Sequence, residues 1–320
     1  MHSRNSIYFP SIDILRGFAA ISVLVYHLIE HFGWKSFPID GWLVWFRIGW
    51  MGVDLFFVIS GFVIGLSALA EIDTRGVDGF RAPFFRRRLA RIVPLHYLTG
   101  LIFVAMVAPA VLFEGFALNA LAHLSFLHNL VPAYHGAING SNWSLATEMQ
   151  FYVLILVLGP WIARHASWQV LIVFVLVAWG WRYGATVYIP QNAASGPVPL
   201  FMASTQLPGT LDEFAAGILL AKLLRTTRGA EWLKRFGFWS IPFAVGSMWA
   251  TLTLMWEFAG SYWSLPLMVV FYKSTLAFAF FWVLAAACFL TAPTWVKLTS
   301  PLRYLGTIRT VSTCGTYRLC

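Results

Sequence analysis

The chain has 320 residues, of which 59% are hydrophobic and 11% are charged, and its formal net charge is +9. Soluble domains contain about 25% charged residues, so this composition excludes an ordinary soluble protein and indicates a polytopic membrane protein in a lipid bilayer. The basic residues cluster in short loops beside apolar segments, which is a topology signal rather than a sign of a nucleic-acid partner, and we predict none.

Apolar runs fill nearly the whole chain and predict an all-α fold, a polytopic transmembrane helix bundle forming one membrane domain. The first run is too long and too polar at its start for a cleaved signal peptide, so we expect it to remain as a membrane span. Eight spans are predicted: 12–32, 51–70, 92–113, 143–163, 167–188, 209–224, 238–258 and 266–291.

One further apolar run, 116–131, is interrupted by polar residues and ends at Pro132. If it crossed the membrane, the basic loop between Arg225 and Arg235 would be exported, against the positive-inside rule. We therefore predict a re-entrant or interfacial helix at about 116–131, and a multi-pass topology with a cytoplasmic N-terminus.

The first span carries Arg16 and His27, which are eleven residues apart. At about 100° and 1.5 Å per residue, the two side chains project from nearly one face, about 16 Å apart along the axis. Ionisable groups inside a span commonly mark a functional site, and imidazole suits proton transfer near neutral pH. The alternative is structural: Arg16 pairs with Asp13 and extends to the interface, and His27 bonds a neighbouring helix.

Two carboxylates enter later spans from the predicted outer side. Glu148 lies one place beyond the capping-box position relative to Ser144, which favours a carboxylate facing the bundle interior over a simple cap. Asp54 lies nearer the end of its span, where solvation at the helix end is an equal alternative. We predict that His27, Asp54 and Glu148 occupy the outer half, and that Arg16 lies near the inner face.

Four arginines follow Phe84 and Phe85 at the cytoplasmic end of the third span. Aromatic and cationic residues in this order are typical of the headgroup layer, so lipid anchoring is one explanation. The other is a binding site for the phosphates of a soluble donor, since arginine offers a permanently charged, forked partner. The arginines are Arg86, Arg87, Arg88 and Arg91.

No metal site is predicted. His123, His128 and His135 lack the i,i+4 spacing of a zinc-binding pair on one helix. The chain also has no glycine-rich phosphate loop and no Gly-x-Ser-x-Gly elbow, which argues against a hydrolase-type serine nucleophile.

Four segments, in this order, resemble the integral-membrane acyltransferase family 3, which includes O-acetyltransferases of bacterial lipopolysaccharide, peptidoglycan and exopolysaccharide. The resemblance covers residues 11 to about 308 and places the chain in the bacterial cytoplasmic (inner) membrane. The segments are SIDILRG (11–17) with His27 ten residues on, GVDLFFVISGF (52–62), FRRRLARIVP (85–94) and NWSLATEMQFY (142–152).

The resemblance implies an O-acyltransferase that moves an acyl group, commonly acetyl from cytoplasmic acetyl-CoA, to a carbohydrate hydroxyl on the far side. It implies that Arg16 and His27 are the catalytic pair, that Glu148 is the acidic site residue, and that Arg88 and Arg91 form the Arg-x-x-Arg motif. Acyl-CoA is then a donor substrate, and no permanently bound cofactor or metal is implied. A transporter, or an inactive truncated fragment of the acyltransferase, remains the alternative.

The C-terminal tail departs from the family. After residue 308 the family typically continues SYSLYLWH and adds two spans, whereas this chain has the polar stretch 309–320. One permitted codon set for 308–318, read from the last base of the Ile308 codon, encodes SYSLYLWHLP. We therefore expect an incomplete domain, 1–308, followed by a non-family tail that arises from a frameshift after Ile308; a genuinely divergent terminus is the alternative.

Overall fold

A computed structural model describes residues 9–107, 109–113, 115–189 and 196–290. These residues form helices and connecting turns, with no β-strand among them, which confirms the predicted all-α class. The helices are α1 (Pro10–His31), α2 (Met51–Met106), α3 (Phe116–Leu124), α4 (Trp143–Arg164), α5 (Ser167–Tyr188), α6 (Val198–Ser204), α7 (Leu211–Arg225), α8 (Thr227–Phe236), α9 (Ser240–Phe258) and α10 (Pro266–Phe289).

Short 3₁₀ turns connect several of these helices. They comprise Trp42–Ile48, Pro109–Leu112, His128–Leu130, Leu207–Thr210, Gly237–Trp239 and Ala259–Ser261. The predicted tail 309–320, and with it the proposed frameshift after Ile308, lies outside the described residues.

The prediction of eight spans is wrong in number. By length and apolar composition, six helical stretches of the described chain can cross a membrane: Pro10–His31, Met51–Met106, Trp143–Arg164, Ser167–Tyr188, Thr227–Ser261 and Pro266–Phe289.

Two features of the helices explain the difference. The predicted span 51–70, and the predicted span 92–113 up to Met106, belong to one long helix, α2, which is broken at Gly76, where φ is 72°. Glycine adopts this left-handed conformation without the steric cost of a Cβ atom. The predicted span 209–224 corresponds to α7, whose 15 residues extend about 22 Å and fall short of a hydrocarbon layer of about 30 Å.

The predicted helix at 116–131 is shorter than expected. Only Phe116–Leu124 is α-helical, and nine residues reach about 14 Å, too little to cross the bilayer. Its re-entrant or interfacial position stays a prediction.

The first arm of α2, which ends at Gly76, forms the centre of the bundle. It packs against α1, α4, α7 and α10, and its apolar residues contribute to two separate cores. Leu55 and Phe62 belong to the core shared with α10, whereas Phe57 packs against Phe214 of α7, with ring centroids 4.9 Å apart. A helix that is apolar on all sides is expected at such a position.

The contact between α2 and α7 requires glycine. A Cβ atom at Gly217 of α7 would collide with the backbone of Val58 and Phe62, and one at Gly61 of α2 would collide with the carbonyl of Phe214. Since the obstructing atoms belong to helix backbones, a rotamer change cannot relieve the overlap.

We therefore expect Gly217→Ala to lower the free energy of unfolding by about 1–3 kcal/mol, the range for overpacking a well-packed core. Thermal or denaturant unfolding of the purified protein in detergent measures this. Gly246→Ala in α9 is the matched control, because no atom lies within 4 Å of the added methyl group, and it should be neutral or stabilising. Equal stability of the two variants would contradict the close approach of α2 and α7.

Candidate active site

Arg16 lies on the face of α1 that packs into the bundle. Its guanidinium Nη1 is 3.6 Å from Asp13 Oδ1, one turn earlier in the helix, and its side chain is 13% exposed. It also interacts electrostatically with Arg91 of α2 and with Glu148 of α4. The bond to Asp13 matches the structural alternative for Arg16, but Arg91 and Glu148 bring two other sequence motifs to the same place.

Glu148 is held in place by hydroxyl groups from two helices. Its Oε1 accepts hydrogen bonds from Ser60 Oγ of α2 (3.0 Å) and from Tyr152 Oη, one turn along α4 (2.6 Å). The carboxylate therefore faces the bundle interior, as predicted.

Arg88 contacts the same tyrosine from the second arm of α2. Its guanidinium lies 5.7 Å from the ring centroid of Tyr152 and 5.3 Å from that of Phe84, distances at which a cation is attracted to an aromatic face. Arg88 interacts electrostatically with Arg91 and Glu148. Its Nε is buried and has no hydrogen-bond partner among the described residues.

These residues form one group, which we call the three-arginine cluster: Arg16, Arg88 and Arg91 with the carboxylates Asp13 and Glu148. Three guanidinium groups face two carboxylates, so the cluster has one excess positive charge. Buried charge is costly unless it is paired, so this composition favours an anionic ligand.

The structure separates the four predicted donor-binding arginines into two pairs. Arg88 and Arg91, three residues apart on one face of α2, are half-buried, whereas Arg86 and Arg87 are exposed. Arg87 forms an ion pair with Glu71 on the other arm of α2. The exposed pair fits the membrane-surface explanation, and the half-buried pair fits a binding site.

His27 does not join the three-arginine cluster. It is exposed on α1 beside Tyr26, with ring centroids 5.3 Å apart, and it interacts electrostatically with Glu30. Because α1 is continuous from Pro10 to His31, Arg16 and His27 remain about 16 Å apart along the axis. Their catalytic roles stay predictions.

Asp54 lies in a second buried polar group that the sequence reasoning missed. It forms an ion pair with Lys273 of α10, and Lys273 Nζ is also 3.1 Å from Glu213 Oε1 of α7. Next to them, Arg182 of α5 is bound to Asp212 of α7, with 2.6 Å between Nη2 and Oδ2. Asp54, Arg182 and Lys273 are lone charges within apolar runs, and Asp212 and Glu213 are an adjacent pair within another, which is the signal that could have found them.

The expected outer grouping of His27, Asp54 and Glu148 is therefore absent from the described residues. Glu148 faces arginines on α1 and α2, Asp54 faces Lys273, and His27 is exposed on α1. The position of a residue along a span determines its depth in the membrane, but not which neighbouring helix its side chain faces.

Histidines of the segment between α2 and α4 stack in a buried group with His96 of α2. The rings of His123 and His128 are parallel at 4.2 Å, and His96 lies 5.8 Å from His128. His128 Nε2 donates to the Asn142 carbonyl (3.3 Å), which leaves the buried Nδ1 without a partner among the described residues. No group of three or more His, Cys, Asp or Glu side chains in the described ranges is arranged to hold a metal ion.

Comparison with known families matches residues 9–311 to the family described as "Acyltransferase domain". YrhL of Bacillus subtilis, provisionally named a peptidoglycan O-acetyltransferase, is 32% identical over 190 residues, which are 53% of this chain and 27% of YrhL. The acyltransferase MdmB of Streptomyces mycarofaciens is 28% identical over 242 residues, 68% of this chain and 58% of MdmB.

The O-acetyltransferase OatA of Staphylococcus aureus is 29% identical over 165 residues, 46% of this chain and 24% of OatA. The chain therefore matches between about a quarter and three-fifths of the length of these curated relatives. No solved structure matches it.

The histidine group predicts acid sensitivity. Burial, reinforced by the neighbouring His123, lowers the pKa of His128 from 6.5 to about 3. As the pH falls from 6.5 towards 3, the unfolded chain binds a proton that the folded chain excludes, so stability present above pH 6.5 is progressively lost. Unfolding of the purified protein, followed against pH, measures this slope.

His128→Phe keeps an aromatic ring but cannot bind the proton, so we expect a smaller loss of stability with acid, even if the absolute stability falls through the lost hydrogen bond. His31→Phe, at an exposed position of α1, is the matched control and should retain the wild-type slope. An unchanged slope in His128→Phe would exclude His128 as a source of the acid sensitivity.

Proposed function

The chain belongs to this acyltransferase family, and from that premise we propose that it is a membrane O-acyltransferase that moves an acyl group from cytoplasmic acyl-CoA to a carbohydrate hydroxyl. Acetyl is the proposed acyl group and acetyl-CoA the donor. The acceptor is a cell-envelope or exported carbohydrate. This choice draws on YrhL, whose name refers to peptidoglycan, and on OatA, which is named an O-acetyltransferase.

One observation carries the proposal: three arginines from two separate motifs converge with Glu148 around a buried, cationic position. Arg88 and Arg91 offer guanidinium groups on one helix face, and Arg88 Nε is a buried donor with no partner among the described residues. A phosphate or diphosphate supplies the acceptors that such donors need, and arginine binds phosphate in a forked, charge-assisted way. CoA carries both groups.

In the proposed mechanism, Arg88 and Arg91 hold the CoA phosphates, and Arg16 directs the acyl thioester into the bundle. Glu148, fixed by Ser60 and Tyr152, orients the guanidinium groups by charge. A fixed carboxylate keeps the arginines ordered in the absence of donor, and positioning of this kind lowers the entropic cost of reaction.

The transfer step is proposed to occur at His27. The acceptor hydroxyl oxygen attacks the acyl carbonyl carbon, a C–O bond forms and the C–S bond breaks, and the imidazole takes the hydroxyl proton. The imidazolium then returns this proton through water to the departing CoA thiolate. In a two-step variant, His27 first carries the acyl group. Because Arg16 and His27 are about 16 Å apart, the acyl group must travel along α1 in either case, and exposure of His27 allows the acceptor to reach it.

We propose that the protein lies in the bacterial cytoplasmic membrane with its N-terminus in the cytoplasm. The basic stretch from Arg75 to Arg91 supports this orientation, since it follows α1 and the first arm of α2 and therefore falls on the inner side. Donor and acceptor then approach from opposite sides.

The direct test incubates membranes that contain the protein with labelled acetyl-CoA and the host envelope polysaccharide. Label covalently attached to sugar supports the acyltransferase. Passage of a solute across sealed vesicles without transfer of label supports the transporter alternative and overturns the proposal.

We expect His27→Ala to reduce label transfer by at least about 100-fold, the contribution of one positioned acid–base group. His31→Ala is the matched control, one turn further along α1 and also exposed, and should retain wild-type transfer. Undiminished transfer by His27→Ala, with expression and thermal stability unchanged, would remove His27 from the mechanism.

For the donor site, we expect Arg88→Ala to raise the KM for acetyl-CoA by about 10- to 100-fold, the cost of losing a charge-assisted hydrogen bond. Arg86→Ala, two residues away and exposed, should leave the KM within about twofold of wild type. Equal effects of both substitutions would indicate a general surface attraction for the donor instead of a site built around Arg88.

A further inference from the structure

A second buried polar group lies where α2 and α7 begin. Its charged side chains come from four helices, and each residue is at most 6% exposed. Three carboxylates, each in the first turn of its helix, face two cations. The residues are Asp54 of α2, Arg182 of α5, Asp212 and Glu213 of α7, and Lys273 of α10.

Arg182 and Asp212 form a self-contained pair. Arg182 Nη2 and Nη1 donate to the two carboxylate oxygens of Asp212, at 2.6 and 3.3 Å, and Nη1 also donates to the Gly209 carbonyl (2.9 Å). Ser274 donates a further hydrogen bond to Asp212 Oδ2, at 2.5 Å. The pair is electrically neutral and its carboxylate is fully occupied, so it leaves Lys273 to balance the other two carboxylates.

Lys273 cannot neutralise both Asp54 and Glu213. Its ammonium group bonds Asp54 Oδ1 and Glu213 Oε1, so one negative charge remains. Because one ammonium group bonds both, the carboxyl groups of Asp54 and Glu213 lie side by side at Lys273 Nζ. Two ionised carboxylates at such a position repel each other, and neither has a hydrogen to donate.

The other carboxylate oxygen of Glu213 independently indicates that a carboxyl group is protonated here. Glu213 Oε2 is fully buried and has no hydrogen-bond partner among the described residues. An ionised carboxylate oxygen with no donor in an apolar bundle is among the costliest arrangements a protein can hold. A hydrogen on this carboxyl group removes the excess charge and gives the group a donor.

We propose that Glu213 holds a proton beside the Asp54–Lys273 ion pair and forms a buried proton-binding site closed by Lys273. The other titratable or charged groups that face the site are Asp212, Arg182, Tyr262 and Tyr272. With one proton bound, the whole group is neutral: two cations balance two carboxylates, and the third carboxyl group is protonated. The site is separate from the three-arginine cluster and independent of the proposed acyl transfer.

Infrared spectroscopy of the purified full chain in detergent tests the site without any acyl donor. At neutral pH we expect an absorption band of a protonated carboxyl group that shifts in heavy water. Glu213→Gln removes the protonated group, and Asp54→Asn leaves Glu213 to pair with Lys273 as a carboxylate, so each substitution should abolish this band. Glu30→Gln, which alters an exposed carboxylate of α1, is the matched control and should retain the band.

Thermal unfolding provides a second measurement. Glutamine imitates the protonated glutamic acid in shape and can donate a hydrogen bond, so Glu213→Gln should melt near the wild-type temperature at neutral pH, whereas Glu213→Ala should melt lower. The folded wild type holds a proton that the unfolded chain has released, so this group contributes stability that is present below about pH 4.3 and lost as pH rises. Above pH 6.5, where His128 no longer takes up a proton in either state, the wild type should lose stability with rising pH and Glu213→Gln should lose less.

Absence of a protonated carboxyl band in the wild type would overturn the proposal. So would a band that survives both Glu213→Gln and Asp54→Asn, or a Glu213→Gln protein that does not fold. Because none of these results depends on acyl transfer, failure here is distinguishable from failure of the proposed function.

Discussion

Buried charge must find a partner, and in this bundle the first arm of α2 provides that partner on two sides. Asp54, near its start, pairs with Lys273 of α10, and Ser60, less than two turns later, donates to Glu148 of α4. An apolar helix with polar groups on two faces fixes the rotation of its neighbours. Each neighbour must place its own polar residue opposite one of these groups, at the same level along the helix axis. Polar pairing therefore sets register where apolar packing alone would tolerate sliding.

Close packing of α2 and α7 fixes the position of one helix along the axis of the other. Gly61 and Gly217 let the two backbones approach more closely than any side chain allows, so α7 begins beside the first turn of α2. This contact brings the carboxylates of the two helices together and puts the positive ends of both helix dipoles at the same place. Even the shortest helix of the central group thus contributes two of the three buried carboxylates.

Much of the fold could be read from the sequence, because length and apolarity fix which segments form membrane helices. The same is true of Arg88 and Arg91, since an i,i+3 spacing places two side chains on one face of any helix.

The sequence does not show which residue pairs with each buried charge. Glu148 was expected beside His27 because both were assigned to the outer half, whereas its contacts lie with Ser60 and Tyr152, as the rotation of α4 dictates. Lys273 was overlooked because a single charge in a long apolar run gives no spacing to interpret. Glu213 follows Asp212 directly, and only packing assigns the two carboxylates to different partners, Lys273 and Arg182.

The two buried polar groups differ in the sign of their excess charge, and this difference suggests different ligands. The three-arginine cluster has one guanidinium more than its carboxylates can balance, and Arg88 retains a buried donor without a partner among the described residues. The group around Lys273 has one carboxylate too many, and Glu213 retains a buried acceptor without one. In an apolar bundle neither excess is stable alone, so the first calls for an anion and the second for a proton. A phosphate is large and must enter through an opening near the arginines, whereas a proton needs no cavity, which is consistent with the complete burial of Glu213.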